Sequence, residues 1–164
     1  MNGLLVRKAG ESDIPDIHTL LEHYADLGIV LRRSREDIKA YLGNFFVVET
    51  EGKIVGCSAV RDFGNDLLEI RSLVISPEYQ KRGIGRKLVG EIIRYVDSCR
   101  PRWRLFTLTG EPEFFGKVGF ATVAREMFPE KIWSDCRNCP KNDCCDEVAL
   151  MLASEDYRSA ASQR

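Results

Sequence analysis

A short turn between a predicted strand and a predicted helix carries two glycines and several basic side chains. It reads Gln80-Lys81-Arg82-Gly83-Ile84-Gly85, and Arg86 follows it. The N–H groups in the first turn of a helix have no intrahelical acceptor, so such a turn can hold an anion such as a phosphate. Glycine at 83 and 85 also omits the Cβ atoms that would keep a phosphate at a distance. An isolated pair of glycines is equally typical of a plain strand-to-helix connection.

Two common phosphate-binding motifs do not fit this turn. The dinucleotide fingerprint needs a third glycine in the pattern G-x-G-x-x-G, and the nucleotide-hydrolase loop needs G-x-x-x-x-G-K-[ST]. The turn therefore predicts an anion site of a different kind.

A second candidate for chemistry is a group of cysteines near the C-terminal end: Cys136, Cys139, Cys144 and Cys145. A C-x-x-C pair can bind Zn²⁺, but most structural zinc sites have a second spaced pair rather than two adjacent cysteines. No export signal is recognisable, so we expect reduced thiols in a loop, with a structural zinc site as the alternative. Cys57 and Cys99 are predicted to be ordinary buried thiols.

The elements that must position these residues follow from hydrophobic periodicity and turn residues. The predicted order is β-α-α-β-β-β-α-β-α-β-β, which indicates an α/β (α+β) fold with a mixed sheet and flanking helices. Helices are predicted from Ser12 or Asp13 to Gly28, after a capping box at Ser34, from the glycine turn to Pro101, and over 112–118. Strands are predicted over 4–9, 45–50, 53–60, 67–75, 103–109, 120–125 and 147–152.

Composition limits the class of protein. The chain has 164 residues, with 24 Lys and Arg against 25 Asp and Glu, and a net charge of −1. This length predicts one domain over 1–153, followed by a polar, frayed tail over 154–164. The balanced charge argues against a general nucleic-acid or anionic-membrane binder. No apolar run reaches the roughly 18 residues of a membrane span, so we expect a soluble cytoplasmic protein.

Three motifs at matching separations resemble the GNAT superfamily of N-acetyltransferases. The glycine turn is similar to its Q/R-x-x-G-x-G/A motif, and Leu73-Val74-Ile75-Ser76-Pro77 is similar to its L-x-V-x-P strand. Phe114-Phe115-Gly116-Lys117-Val118-Gly119-Phe120 is similar to its aromatic-aromatic-x-x-x-G-F segment. The resemblance implies a sheet splayed between the strands at 67–75 and 103–109, with acetyl-CoA in the gap.

The same resemblance implies roles for individual residues. Leu73, Val74 and Ile75 would bind pantetheine through their backbone, and the N–H of Val74 would polarise the acetyl carbonyl. Gln80, Lys81, Arg82, Gly83, Ile84, Gly85 and Arg86 would hold the pyrophosphate, and Phe115 would contribute to the cofactor site. Many family members have a tyrosine where this chain has Phe114 and Phe115, so the general acid is unassigned.

Four segments further resemble the catalytic domain of N-acetylglutamate synthase, in a short stand-alone form. They are Gly28-Ile29-Val30-Leu31-Arg32-Arg33-Ser34-Arg35-Glu36, Ile54-Val55-Gly56-Cys57-Ser58-Ala59, Leu68-Glu69-Ile70-Arg71-Ser72-Leu73-Val74 and Phe128-Pro129-Glu130-Lys131.

This resemblance implies a site for an amino acid with two carboxylates. Arg32, supported by Arg33, would hold the side-chain carboxylate, and Arg71 or Lys131 the α-carboxylate, since guanidinium groups bind carboxylates bidentately. Glu69 would take the amine proton. The alternatives are a solvated basic run at Arg32 and Arg33 and an outward-facing glutamate at 69. Strand alternation predicts Glu69, Arg71 and Leu73 on one face.

The predicted function is therefore transfer of an acetyl group from acetyl-CoA to the α-amine of L-glutamate, by direct attack in a ternary complex, in arginine biosynthesis. Two alternatives are a GNAT enzyme for another small amine or a protein N-terminus, and a non-catalytic metal-binding or regulatory module. A homodimer is the commonest assembly for such enzymes.

Overall fold

Seven strands form one sheet in the part of the chain that the computed structural model describes, residues 3–141 and 144–163. The strands are β1 (Leu5–Lys8), β2 (Phe45–Thr50), β3 (Lys53–Gly64), β4 (Leu67–Ile75), β5 (Arg104–Thr109), β6 (Ala121–Thr122) and β7 (Val148–Ala153). The helices are α1 (Ile14–Asp26), α2 (Arg35–Ala40), α3 (Ile84–Cys99), α4 (Pro112–Val118), α5 (Pro129–Ser134) and α6 (Glu155–Ser162).

The sheet is mixed, as the sequence predicts. Its strand order is β1-β2-β3-β4-β5-β7-β6. β1 with β2, β2 with β3, β5 with β7 and β6 with β7 are antiparallel, whereas β4 and β5 are parallel. The parallel pairs are Leu67 with Arg104, Leu68 with Leu105 and Glu69 with Phe106. The predicted α/β (α+β) class is confirmed.

The chain divides into two units, and the first comprises Met1–Arg61 and Ile70–Val96. Its core packs apolar side chains of α1 and α2 against β2 and β3, including Ile17, Leu21, Ile38, Val47 and Cys57. The predicted cap is confirmed here, because the hydroxyl of Ser34 accepts a hydrogen bond from the N–H of Asp37 at the start of α2. Glu51 and Gly52, the two residues between the strands predicted over 45–50 and 53–60, form the β2–β3 turn with positive φ angles.

The second unit comprises Asp62–Glu69 and Asp97–Arg164. Phe106 of β5 and Phe128 stack face to face with their ring centroids 4.1 Å apart, and both are buried. Gly119 ends α4 in the left-handed conformation, with φ of 108°, as the sequence predicts.

Several boundaries differ from the predictions. The predicted strand over 120–125 is limited to Ala121–Thr122, and α5 occupies part of the predicted cysteine loop. The tail predicted to fray is helical over Glu155–Ser162, because Ser154 caps it by accepting from the N–H of Tyr157. The N–H of Ser154 also donates to Trp103 O, which ties the start of α6 to the residue before β5.

Candidate active site

The glycine turn joins β4 to α3 within the first unit. A single 3-10 turn over Pro77–Tyr79 is followed by Lys81 and Gly83, whose φ angles are 58° and 76°. The N–H of Lys87 donates to Gly83 O at 3.0 Å at the start of α3. The N–H groups that precede Lys87 in the first turn of α3 have no acceptor within the helix. A Cβ at position 83 would meet no atom within 4 Å. Gly83 is therefore required here for its backbone angle, and the space beside it is open.

The side chain of Gln80 turns toward the protein rather than outward to an anion. Its amide donates to the hydroxyl of Tyr24 at 2.7 Å and to Ile75 O at 3.2 Å. The Tyr24 hydroxyl in turn donates to Ile75 O. Burial raises the pKa of Tyr24, which is 6% exposed. The side chain of Gln80 thus fastens the turn to the end of β4, and its part in the pyrophosphate site stays a prediction.

The second half of β4 contains a break in the strand geometry at Ser72. Its φ angle is 53°, a left-handed value that a residue with a Cβ adopts rarely. The Ser58 hydroxyl donates to Arg71 O at 3.2 Å, and Arg33 Nε donates to the Ser72 hydroxyl at 3.3 Å. Strand alternation is therefore interrupted between Arg71 and Leu73, so it no longer supports the prediction that Leu73 lies on the face of Glu69 and Arg71.

Glu69 lies in the second unit and is buried, with 3% of its surface exposed. Lys131 Nζ lies 2.9 Å from Glu69 Oε1 and 3.2 Å from Oε2. The same ammonium contacts Asp135 Oδ2 at 2.9 Å, one turn further along the chain. The alternative of an outward-facing glutamate is excluded, because both carboxylate oxygens of Glu69 face a lysine that is itself largely buried.

Glu147 is a second acidic side chain close to this ion pair. Burial raises the pKa of Glu147, and the charge of Glu69 raises it further, whereas Lys141, Lys131 and Arg125 oppose the shift. Two carboxylates of different character therefore lie on the α5 side of the second unit. Glu69 is held by a lysine, and Glu147 is disfavoured as an anion.

The cysteines are free thiols. Burial raises the pKa of Cys57 to about 12, which confirms the predicted buried thiol, whereas Cys99 is exposed and the prediction for it is wrong. Among the residues that the structure describes, no three Cys, His, Asp or Glu side chains assemble into a metal site. The zinc alternative at Cys136, Cys139, Cys144 and Cys145 is therefore unsupported.

Comparison with known proteins identifies the family and its fold. An acetyltransferase (GNAT) domain model matches residues 42–122. The chain is 41% identical over 146 residues to an uncharacterized N-acetyltransferase of Chlorobaculum tepidum, covering 89% of this chain and 94% of that protein. The chain belongs to the GNAT family of acetyltransferases. It is therefore an acyltransferase enzyme.

Two longer proteins share this GNAT domain. An amino-acid acetyltransferase of Neisseria meningitidis is 36% identical over 141 residues, which cover 84% of this chain and 32% of that protein. The N-acetylglutamate synthase of Neisseria gonorrhoeae, solved with coenzyme A and N-acetyl-glutamate, superimposes with a TM-score of 0.83 at 30% identity. That match covers 93% of this chain and 35% of the synthase. The chain thus spans about a third of each of these proteins.

Two predicted site residues of the GNAT domain make contacts within the protein that their predicted roles do not include. Arg32 is exposed and forms ion pairs with Glu22 and with Asp26, the latter at 2.5 Å. Phe115 is 3% exposed and packs edge to face against Phe114 and Phe120, so it presents little surface to a cofactor.

Within the described residues, no helix of the GNAT domain is both long and apolar enough to cross a membrane.

Sequence reasoning missed several residues that organise the site. The predicted site residues do not include Tyr24, Asp135 or Glu147. The i,i+4 spacing of Lys131 and Asp135 is a signal that was available, because oppositely charged residues at this spacing pair on a helix. Nothing local marks Tyr24 as a partner of Gln80, which is 56 residues away.

Proposed function

We propose that this GNAT domain transfers the acetyl group of acetyl-CoA to the α-amine of L-glutamate. The observation that carries the proposal is the buried Glu69 carboxylate held by Lys131 at 2.9 Å, on the strand that also carries Val74. A buried carboxylate on this strand is a suitable acceptor for the proton that an ammonium substrate must lose. The product would enter arginine biosynthesis.

Acetyl-CoA would bind along the end of β4 and the glycine turn. The pyrophosphate would accept hydrogen bonds from the N–H groups at the start of α3, with Lys81, Arg82 and Arg86 supplying positive charge. Arg82 already lies over the ring of Tyr79, with 5.3 Å between its guanidinium carbon and the ring centroid. Ile75 O is engaged by Tyr24 and Gln80, so pantetheine would pair with the backbone of Leu73 and Val74.

The acceptor would be held by the basic side chains that the sequence predicts for it. Arg33 already reaches β4 at Ser72, whereas Arg32 would have to exchange its contacts with Glu22 and Asp26 for a substrate carboxylate. The three N–H donors of Lys131 face three carboxylate oxygens of Glu69 and Asp135, so Lys131 would have to exchange one of these contacts for the α-carboxylate. Arg71 is the remaining candidate for the α-carboxylate.

The reaction would proceed by direct attack. Glu69 accepts a proton from the ammonium, directly or through water, and the free amine attacks the thioester carbonyl while the N–H of Val74 stabilises the developing oxyanion. The tetrahedral intermediate then loses a second N–H proton to water, and CoA leaves as a thiolate. An acetyl-cysteine intermediate at Cys57 is disfavoured, because burial raises the pKa of that thiol to about 12.

A thiol-release assay tests the proposal. The full chain is incubated with acetyl-CoA and single amino acids, namely L-glutamate, L-glutamine, L-aspartate and D-glutamate, and the acetylated product is identified by mass. We expect turnover with L-glutamate at the highest kcat/KM. Turnover confined to another amine or to peptide N-termini would overturn the choice of acceptor, and failure to bind CoA would overturn the catalytic function.

A further inference from the structure

Two of the clustered cysteines share one guanidinium group. Arg125 Nη2 lies 3.6 Å from the sulfur of Cys136. The pKa of Arg125 is raised, first by its hydrogen bond with Cys136 and also by its interaction with Cys145. Residues 136 and 145, nine positions apart, are thus brought to the same side chain.

The two thiols differ in exposure. Cys136 is 5% exposed, in a 3-10 turn over Cys136–Asn138. Cys145 is half-buried and lies 3.9 Å from Glu147 Oε2. Of these two thiols, Cys145 is therefore the more accessible to a reagent from solvent, and Cys136 is the protected one.

We propose that Cys136 and Cys145 form a redox modification site that closes reversibly to a disulfide. The oxidant is a small-molecule disulfide such as oxidised glutathione. Thiol–disulfide exchange requires a thiolate, and Arg125 supplies a cation 3.6 Å from the Cys136 sulfur that also interacts with Cys145.

The reaction balances in two exchanges. The Cys145 thiolate attacks one sulfur of the oxidant and forms a mixed disulfide, releasing one small thiolate. The Cys136 thiolate then attacks the Cys145 sulfur and releases the second. Two protein thiols are oxidised, the oxidant is reduced to two small thiols, and the two protons pass through water to the released thiolates.

The disulfide would constrain residues next to the side chains that are proposed to bind the acceptor amino acid. Asp135, which contacts Lys131 at 2.9 Å, directly precedes Cys136, and Glu147 lies two residues after Cys145. Resting on the proposed function, we expect the disulfide to raise the KM for the acceptor several-fold and to leave the KM for acetyl-CoA unchanged. The glycine turn belongs to the other unit of the chain.

Thiol counting and peptide mapping test the modification without reference to activity. The full chain is equilibrated in reduced and oxidised glutathione buffers, alkylated and digested. We expect the titratable thiols of the denatured chain to fall from six to four, with a linked peptide joining Cys136 to Cys145. C145S and C136S should each abolish that peptide, whereas the matched variants C139S and C144S should retain it.

Any other outcome of the mapping decides against the proposal. A link between Cys139 and Cys144, retention of six thiols throughout the glutathione range, or protection of all four clustered thiols by added Zn²⁺ would each overturn it. If C136S fails to fold because its position is buried, C145S still tests the proposal, since it changes a half-buried side chain. A disulfide in a chain without acetyl transfer would overturn the proposed function and leave the modification site standing.

Discussion

Glu69 and Lys131 form a pair whose members are 62 positions apart in the chain. Each had been assigned a separate task, one as the base and the other as a ligand of the α-carboxylate. Their contact gives Lys131 a second task, because a lysine that contacts both oxygens of Glu69 also orients that carboxylate. A base must be held within hydrogen-bonding reach of the proton that it removes.

The substitution Glu69→Gln tests this residue. It keeps the size of the side chain but removes the proton acceptor, so we expect kcat to fall by about 10²–10⁴-fold with little change in the KM for acetyl-CoA. The measurement is initial-rate thiol release with both substrates varied. Glu91→Gln is the matched control, since Glu91 forms an exposed ion pair with Arg94 on α3 and should have wild-type rates. Retention of kcat in Glu69→Gln would exclude Glu69 as the base.

A second residue-scale prediction concerns Tyr24. In Tyr24→Phe the hydroxyl between Ile75 O and the Gln80 amide is lost, so only the direct bond from the Gln80 amide to Ile75 O still fastens the glycine turn to β4. We expect the Kd for CoA to rise several-fold and the free energy of unfolding to fall by about 1 kcal/mol, measured by calorimetric titration and urea unfolding.

Tyr41→Phe is the control for Tyr24→Phe, because Tyr41 is 57% exposed. Lower stability in Tyr24→Phe with unchanged CoA affinity would show that the hydroxyl supports the core and not the turn.

At the scale of elements, β3 approaches β4 closely where the oxyanion-stabilising N–H is proposed. Position 56 of β3 is glycine, and a Cβ there would lie 3.1 Å from Val74 O and 2.5 Å from Ile75 Cδ1. The isoleucine tip can rotate away, but a backbone carbonyl moves only with its strand. The small residue at 56 therefore determines how closely β4 packs at Val74.

Gly56→Ala is expected to displace β4 at this point. We predict a loss of about 1–3 kcal/mol in the free energy of unfolding and a lower kcat, because the Val74 N–H is shifted from the acetyl carbonyl. Gly90→Ala in α3 is the control, since its Cβ would meet nothing within 4 Å. That change should stabilise the chain by up to about 1 kcal/mol. Unaltered activity and stability in Gly56→Ala would contradict the close approach.

At the scale of the whole molecule, oppositely charged side chains form ion pairs, and these make the free energy of unfolding depend on pH. Arg7 contacts Asp13 at 2.6 Å and Glu49 at 2.8 Å, joining β1, the residue before α1 and β2. The hydrogen bond from Arg7 lowers the pKa of Asp13, which is 5% exposed. The folded state therefore binds this proton less tightly than the unfolded state.

The resulting stability has a definite sign. A lowered folded-state pKa contributes stability that is present above the unfolded pKa of about 3.9, and that is lost as the pH falls through the folded value. We expect Asp13→Asn to lower Tm at pH 7 and to flatten the decline of Tm below about pH 4. Calorimetric scans across pH measure both effects, and parallel Tm–pH curves for the variant and the wild type would contradict the assignment.

Glu147 should show the opposite dependence. Burial raises its pKa in the folded state, so its contribution to stability is fully present below the unfolded pKa and is lost as the pH rises through the folded value. We expect Glu147→Gln to raise Tm at neutral pH and to have no effect near pH 3. The same scans test it, and a lower Tm at neutral pH would show that the carboxylate has stabilising partners.

The local features of the chain were predictable because their causes lie within a few residues. The cap at Ser34, the turn at Glu51 and Gly52, the end of α4 at Gly119 and the amphipathic helix after the glycine turn each depend on neighbouring side chains. The family resemblance was carried by motifs of the same kind. The cap of α6 at Ser154 also depends on neighbouring residues, but the polar composition of the tail favours the prediction of a frayed end.

The contacts that complete the candidate site depend on residues that are distant in the chain. Tyr24 meets Gln80, Arg33 meets Ser72, and Glu69 meets Lys131 across separations of 39 to 62 residues. Hydrophobic periodicity identifies which side chains are buried but not which polar groups become neighbours. The left-handed backbone at Ser72 illustrates the reason: contacts from Arg33 and from β3 accompany this conformation, and strand alternation alone does not predict it.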